Sequence, residues 1–243
     1  MRFGRYGKSL KKRWRGLQNR LLQGRRILVL GDSHSGVFEY CFDHGLLAPH
    51  WLNCEIVAGA TAYGLNGDTA ATQGWQKFTA ALRRFADYDV VVIMLGECDC
   101  SFALWKKAER LNVTPASLID HSLAGIRRLV SRIRDDMSRE RKVILVGAIL
   151  PTVSDAAAAT QENLPRREIA ASQQARTRLV LEFNEQLNHL ASELDLAYFD
   201  LTAEVLDETS GQIHQRFISA AGDHHLSHPA SAVLWSSKLL ASL

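Results

Sequence analysis

Short apolar runs alternate along the chain with longer segments whose apolar residues recur every three or four positions. The short runs are rich in Val and Ile and mostly end in glycine or a polar residue, which is typical of buried parallel strands. They predict strands at residues 26–31, 54–59, 89–96, 142–150 and 196–201. The longer segments predict helices at about 34–45, 70–86, 115–137, 167–194 and 229–242. This alternation predicts a doubly wound α/β fold, with helices on both faces of a parallel sheet.

The length of 243 residues, 47% of them hydrophobic, suits one domain. We place one α/β domain at residues 26–243 and a separate basic segment at residues 1–25. Residues 151–168 interrupt the pattern with a long polar stretch, which we interpret as a loop or lid. No apolar stretch approaches the roughly 20 residues of a membrane span, and the four cysteines have no regular disulfide spacing. We therefore expect a reduced, cytoplasmic protein that could be peripheral to the membrane.

The N-terminal segment concentrates the positive charge of the protein. Residues 1–26 hold ten of the 29 Lys and Arg residues and no acid, so the rest of the chain is net acidic although the total charge is +3. A helix here would be cationic with one apolar stripe, formed by Leu10, Trp14, Leu17 and Leu21. It could pack on its own domain or on a partner, or bind an anionic membrane surface through residues 1–24. A polyanion is the third alternative, but no nucleic-acid motif appears elsewhere and we expect no nucleic acid partner.

The predicted carboxyl ends of the strands gather side chains suited to acyl transfer. Ser33 follows the first strand, Gly59 ends the second, and the third ends in the sequence GECD of residues 96–99. After the fifth strand comes GDHHLSHP, residues 222–229. Because parallel strands end along one edge of a sheet, we expect these groups to meet there. A serine nucleophile, a histidine base, a carboxylate to orient it and exposed backbone N–H groups are what acyl transfer requires.

Simpler interpretations of the same residues remain open. Ser33 could merely cap the following helix, and His224 and His228 could be exposed residues of a loop or a helix start. The usual structural-zinc spacings are not matched by the candidate ligands His224, His225, His228, Cys98 and Cys100. We therefore expect no metal. A phosphate-binding loop, a dinucleotide glycine motif and a calcium loop are also missing from the sequence, so we expect no cofactor.

The order of these blocks resembles the SGNH, or GDSL-type, hydrolase superfamily. The sequence GDSHS at residues 31–35 resembles its first block, AGATAYG at 58–64 its second, LGECD at 95–99 its third and DHHLS at 223–227 its last. The resemblance implies a three-layer, flavodoxin-like fold whose five-stranded parallel sheet has the order 2-1-3-4-5. It also implies a catalytic triad made of the nucleophile Ser33, the base His225 and the carboxylate Asp223.

The resemblance further implies an oxyanion hole made of the N–H groups of Ser33 and Gly59 and a side chain of the third block. That block usually carries Asn, but here Cys98 stands in its place, and a thiol is a weak donor. Losing one such donor costs roughly 100- to 1000-fold in rate. The protein is therefore a slow hydrolase, a hydrolase with other donors, or not a hydrolase.

Further features distinguish this chain within the superfamily. The GE-x-D-C form of the third block resembles a branch associated with surface-polysaccharide biosynthesis, in which Glu97 and Asp99 take over the polar positions. We assign both, with Asp32, to the oxyanion and substrate-binding set that also contains Gly59 and Cys98. The spacing of the last block differs as well, because Asp223 precedes His225 by two residues and not by three.

The sequence therefore predicts a serine esterase or deacylase for O-acyl groups, with O-acetyl as the first candidate. The substrate would be an ester of a carbohydrate or of a small molecule. An O-acyltransferase of surface-polysaccharide biosynthesis would use the same triad, with a sugar hydroxyl in place of water. A non-catalytic binding protein that retains the fold is the third alternative. The Cys98 replacement favours this last alternative, whereas the presence of Ser33 and His225 opposes it.

Overall fold

A five-stranded, all-parallel sheet lies at the centre of the protein. The computed structural model describes residues 19, 21–135, 141–156, 170–220 and 224–243. The sheet order is β2-β1-β3-β4-β5, as predicted. In chain order the strands are β1 Arg26–Gly31, β2 Trp51–Ile56, β3 Val90–Met94, β4 Lys142–Val146 and β5 Ala197–Phe199. A separate two-stranded antiparallel hairpin consists of β6 Leu206–Asp207 and β7 Gln212–Ile213.

Helices cover both faces of the sheet, which confirms the predicted three-layer α/β architecture. The helices are α1 Gly36–Asp43, α2 Gly74–Arg84, α3 Leu104–Leu111, α4 Ile119–Asp135, α5 Gln173–Glu193, α6 Thr202–Val205 and α7 His228–Ala241. Helix α1 packs against α7, whereas α4 contacts both α2 and α5. Among the described helices, none combines the length and apolar character that crossing a membrane requires.

The central strands owe their position to their composition. Strands β1 and β3 lie inside the sheet, and the side chains from Ile27 to Leu30 and from Val90 to Met94 are almost completely buried. Burying each such aliphatic side chain contributes about 1.5–3 kcal/mol relative to leaving it exposed. The unbroken apolar runs in the sequence therefore identify strands that are covered on both faces, and β4, whose residues 143–146 are also buried, is a third such strand.

Strand β2 begins and ends three residues before the predicted 54–59. It lies at the edge of the sheet, where polar side chains such as Asn53 and Glu55 are tolerated, so its apolar pattern is interrupted. The chain then turns, since the Val57 N–H donates to the Gly31 carbonyl and the Ala60 N–H to the Val57 carbonyl. Gly59 therefore belongs to this turn, in agreement with its positive φ of 71°.

Two helical elements were not predicted from the hydrophobic pattern of the sequence. The chain between β3 and α4 forms a π-helical turn, Asp99–Ala103, that continues into α3, and no helix was predicted there. Helix α3 buries only Leu104 and Ala108, so its apolar stripe is too short to recognise. Two predicted features lie largely outside the described residues: the loop or lid at 151–168, of which 157–168 are not described, and the basic N-terminal segment, of which 1–18 and 20 are not described.

Cations at the amino edge of the sheet hold the carboxyl ends of helices. Arg134 donates to the Leu194 carbonyl at the end of α5, over 2.5 Å. Lys142 donates to the Leu243 carbonyl beyond α7, over 3.3 Å. Such contacts satisfy carbonyl groups that have no partner within the helix, and they oppose the negative end of the helix dipole. A cavity of about 790 Å³ at this edge includes both cations in its lining and lies at the opposite edge from Ser33.

Candidate active site

The loop that follows β1 exposes one serine among buried neighbours. Ser33 begins a single 3₁₀ turn that is capped by Asp32, whose Oδ1 accepts from the His34 N–H at 2.9 Å. The Ser35 hydroxyl donates to the Asp32 carbonyl at 2.6 Å. Asp32, His34 and Ser35 are buried, whereas Ser33 is partly exposed. Asp32 therefore caps this turn, whereas helix α1 begins after Ser35 without a side-chain cap, so Ser33 is not the helix cap that the simpler interpretation expected.

Gly31 allows this loop to lie close to the neighbouring strand. A Cβ at residue 31 would be 2.6 Å from the Met94 carbonyl oxygen and 2.7 Å from the Ser35 Cβ. Both distances are far below van der Waals contact, so any other residue would push the Ser33 turn away from the sheet. The glycine of the first block is thus a packing requirement for the position of the serine.

Three histidine rings form a cluster at this loop. The His34 ring lies 4.7 Å from the His225 ring and 5.3 Å from the His224 ring, and the last two are 4.1 Å apart, all between ring centroids. His224 and His225 precede α7, so the C-terminal loop meets the loop after β1. Asp223, the predicted third member of the triad, lies outside the described residues.

A buried carboxylate holds one of the three rings. Glu97 Oε2 lies 2.8 Å from His34 Nε2, and both side chains are only 2–3% exposed. Glu97 was predicted to belong to the substrate-binding set, and no role was predicted for His34. A histidine directly after the candidate nucleophile, with an acid in the third block, was the signal that could have indicated this pair. The two residues are 63 positions apart, and only the pairing of β1 with β3 brings them together.

Asp32 is enclosed by other charged groups. Burial is the main cause that raises its pKa to about 6, from an ordinary value of 3.8. His34 opposes this shift, whereas the negative charge of Glu97 adds to it. Asp32 Oδ2 is buried and has no hydrogen-bond partner among the described residues.

Asp99 holds the loop of the second block in place through hydrogen bonds. Its carboxylate accepts from the backbone N–H groups of Ala62 and Tyr63 and from the Ser122 hydroxyl, each at 2.8 Å. The residue is completely buried, and burial raises its pKa while the three hydrogen bonds oppose the shift. These contacts give Asp99 a positioning role for the loop that contains Gly59, and its burial leaves no surface for the predicted contact with a substrate.

Helix α4 supports the same loop from its other side. At Gly125 a Cβ would overlap the Ala62 carbonyl oxygen, so only glycine permits the close approach of helix and loop. Gly59 itself is exposed, and Cys98 is partly buried at the start of the π-helical turn. The structure thus brings the predicted residues of the first three blocks to one edge of the sheet.

Comparisons with known proteins identify the fold. No protein-family model matches the chain, and no curated protein sequence matches it significantly. Among solved structures, a GDSL-like lipase from Bacteroides thetaiotaomicron is 16% identical with a TM-score of 0.60, over 95% of both chains. A carbohydrate acetylesterase family member from Sinorhizobium meliloti is 18% identical with a TM-score of 0.57, over 89% of this chain and 97% of that one. An aryl esterase from M. smegmatis is 17% identical with a TM-score of 0.59, over 90% and 100%.

At these identities the likeness concerns the fold. The chain has the SGNH, or GDSL-type, hydrolase fold, which confirms the resemblance recognised from the order of its sequence blocks.

Proposed function

We propose that the protein is a serine esterase that removes O-acyl groups, with O-acetyl as the first candidate, from a carbohydrate or a small molecule. One observation carries the proposal: the His225 ring lies 4.7 Å from the ring of His34, the residue that directly follows Ser33. A candidate base from the C-terminal loop therefore reaches the loop of the candidate nucleophile. The fold agrees with this chemistry, since the similar structures include a carbohydrate acetylesterase family member and an aryl esterase.

The reaction would proceed through an acyl-serine. Ser33 Oγ attacks the ester carbonyl carbon while His225 takes the hydroxyl proton, and the tetrahedral intermediate collapses as His225 returns that proton to the leaving alcohol. Water then attacks the acyl-serine, His225 accepts a proton from the water, and the second collapse releases the acid and restores the Ser33 hydroxyl. In this proposal Asp223 orients His225.

Two backbone N–H groups would hold the oxyanion, those of Ser33 and Gly59. The first depends on the turn that Asp32 caps, and the second depends on the loop that Asp99 fastens. Cys98 would add only a weak donor. We therefore expect an esterase slower, by roughly 100-fold or more, than one with a third strong donor.

Hydrolysis of p-nitrophenyl acetate tests the proposal. Ser33→Ala and His225→Ala should each remove nearly all activity, and the double variant should lose little more, because a nucleophile and its base act as a unit. Ser227→Ala, which changes a serine two residues after His225, is the matched control and should keep wild-type activity. Folded Ser33→Ala and His225→Ala proteins that hydrolyse the ester as fast as wild type would contradict the proposal. Turnover that appears only after a sugar alcohol is added would favour acyl transfer instead.

A further inference from the structure

We propose that His34, His224 and His225 bind one divalent transition-metal ion, with Zn²⁺ as the expected ion, and that the bound ion blocks the esterase. Each histidine offers a ring nitrogen, and these three nitrogens all lie within 4.8 Å of one another. Binding of the ion rests only on this cluster, whereas the block of activity rests on the proposed function. The linear spacing of the histidines does not predict the site, since His34 lies 190 residues before His224 and 191 before His225.

The chemistry of the cluster suits a borderline-soft ion. Imidazole nitrogens favour zinc, copper and nickel over calcium or magnesium, which prefer oxygen ligands. Zinc binds imidazole nitrogen at about 2.0–2.1 Å, which places tetrahedral ligands roughly 3.3 Å apart. The nitrogens of the cluster therefore need to approach by at most about 1.5 Å. His224 and His225 are only partly buried, so rotation of their side chains can supply this movement.

Glu97 supplies the outer support that metal-binding histidines usually have. A histidine that binds a metal generally donates its other ring N–H to a carboxylate, which fixes the ring and its tautomer. Glu97 Oε2 lies 2.8 Å from His34 Nε2, so an ion would be bound through the other ring nitrogen, Nδ1, while Nε2–H donates to Glu97. Asp32 adds negative charge beside the cluster, because its carboxylate accepts from the backbone N–H of His34. Both buried carboxylates favour a cation at this place.

A bound ion would stop the proposed reaction because it would occupy the nitrogen atom with which His225 acts as the base. The lone pair that His225 needs in order to take the Ser33 proton would be held in the bond to the ion. No bond of the protein is made or broken otherwise, so removal of the ion by a chelator restores the base. The third imidazole, His224, has no part in the proposed reaction and serves to distinguish the two functions.

The experiment measures Zn²⁺ binding by competition with a chromophoric chelator and, separately, hydrolysis of p-nitrophenyl acetate. Wild type should bind one Zn²⁺ per chain and lose activity in proportion to occupancy. His224→Gln should hydrolyse the ester at the wild-type rate in chelator and bind Zn²⁺ more than about 100-fold more weakly, since even the loss of an outer partner costs about 10- to 100-fold. His228→Gln is the matched control, because His228 lies beside Tyr40 and outside the cluster, and it should behave as wild type.

The two readouts separate the possible failures. Wild type without Zn²⁺ binding, or His224→Gln with unchanged affinity, would overturn the metal site whatever the enzyme does. A protein that binds one Zn²⁺ through these residues and still hydrolyses the ester at full rate would overturn the block. A protein that binds the ion but never hydrolyses any ester would support the site and contradict the proposed esterase.

Discussion

Replacing Asp99 by Asn tests whether this carboxylate positions the oxyanion loop. In the native protein, Oδ2 accepts from the Ala62 N–H, and Oδ1 accepts from the Tyr63 N–H and the Ser122 hydroxyl. An asparagine retains one acceptor oxygen. When that oxygen faces Tyr63 and Ser122, the asparagine keeps two of the three hydrogen bonds. Its NH₂ group then faces the Ala62 N–H, so that two donors meet and the Ala62 N–H has lost its acceptor.

The destabilisation expected for Asp99→Asn follows from the lost acceptor of the Ala62 N–H. A buried donor without an acceptor costs about 1–3 kcal/mol, and the two remaining hydrogen bonds lose the contribution of the charge. Part of the cost is offset because the neutral amide avoids the penalty for burying an anion, the same penalty that raises the Asp99 pKa. We expect a net destabilisation of about 1–3 kcal/mol. Displacement of the loop should also remove the Gly59 donor, which lowers kcat about 100- to 1000-fold with little change in KM.

Chemical denaturation gives the free energy of unfolding, and hydrolysis of p-nitrophenyl acetate under folding conditions gives kcat and KM. Ser122→Ala is the matched control, because it removes one of the three hydrogen bonds and leaves both backbone donors paired. It should cost about 1 kcal/mol and keep nearly full activity. An Asp99→Asn protein with wild-type kcat would refute the positioning role.

Three further predictions concern other parts of the protein. Cys98→Asn should raise kcat by up to about 100-fold by restoring an amide donor, and a folded but inactive variant would contradict the role assigned to residue 98. The folded-state pKa of Asp32, about 6, exceeds its ordinary 3.8, so wild-type stability should fall, by up to about 3 kcal/mol, as pH rises between these values. Chemical denaturation should show a smaller decline for Asp32→Asn, and equal declines would contradict the assignment. Deleting residues 1–18 keeps the Asn19 contact with the Pro49 carbonyl, and it should preserve hydrolysis of a small ester. The same deletion should abolish salt-sensitive co-sedimentation with anionic liposomes, whereas an unstable or insoluble product would favour packing on the domain instead.

The sequence predicts most of the fold because burial on two faces leaves a clear pattern. Strands β1 and β3 are unbroken apolar runs, and the polar groups after each strand identify the active edge of the sheet. Strand β2 was misplaced because an edge strand carries polar residues, and α3 was missed because it buries only two side chains.

The sequence predicts which residues belong to the candidate site better than it predicts what each of them does. Glu97 and Asp99 stand two positions apart in one turn, and spacing alone does not show where either points. In the structure one holds His34 and the other holds the backbone of the second block. The contact of His34 with His224 and His225 depends on tertiary structure across most of the chain, which no local pattern encodes.

Covalent labelling of the native protein with a fluorophosphonate tests the central claim most directly, because the reagent traps an activated serine nucleophile without any assumption about the substrate. Intact mass should show one adduct per chain, and peptide mapping should place it on Ser33. Ser33→Ala should not be labelled, and His225→Ala should be labelled far more slowly because its serine has lost its base. A folded wild-type protein that takes no label, or an adduct on another serine that persists in Ser33→Ala, would contradict the assignment of Ser33 as the nucleophile.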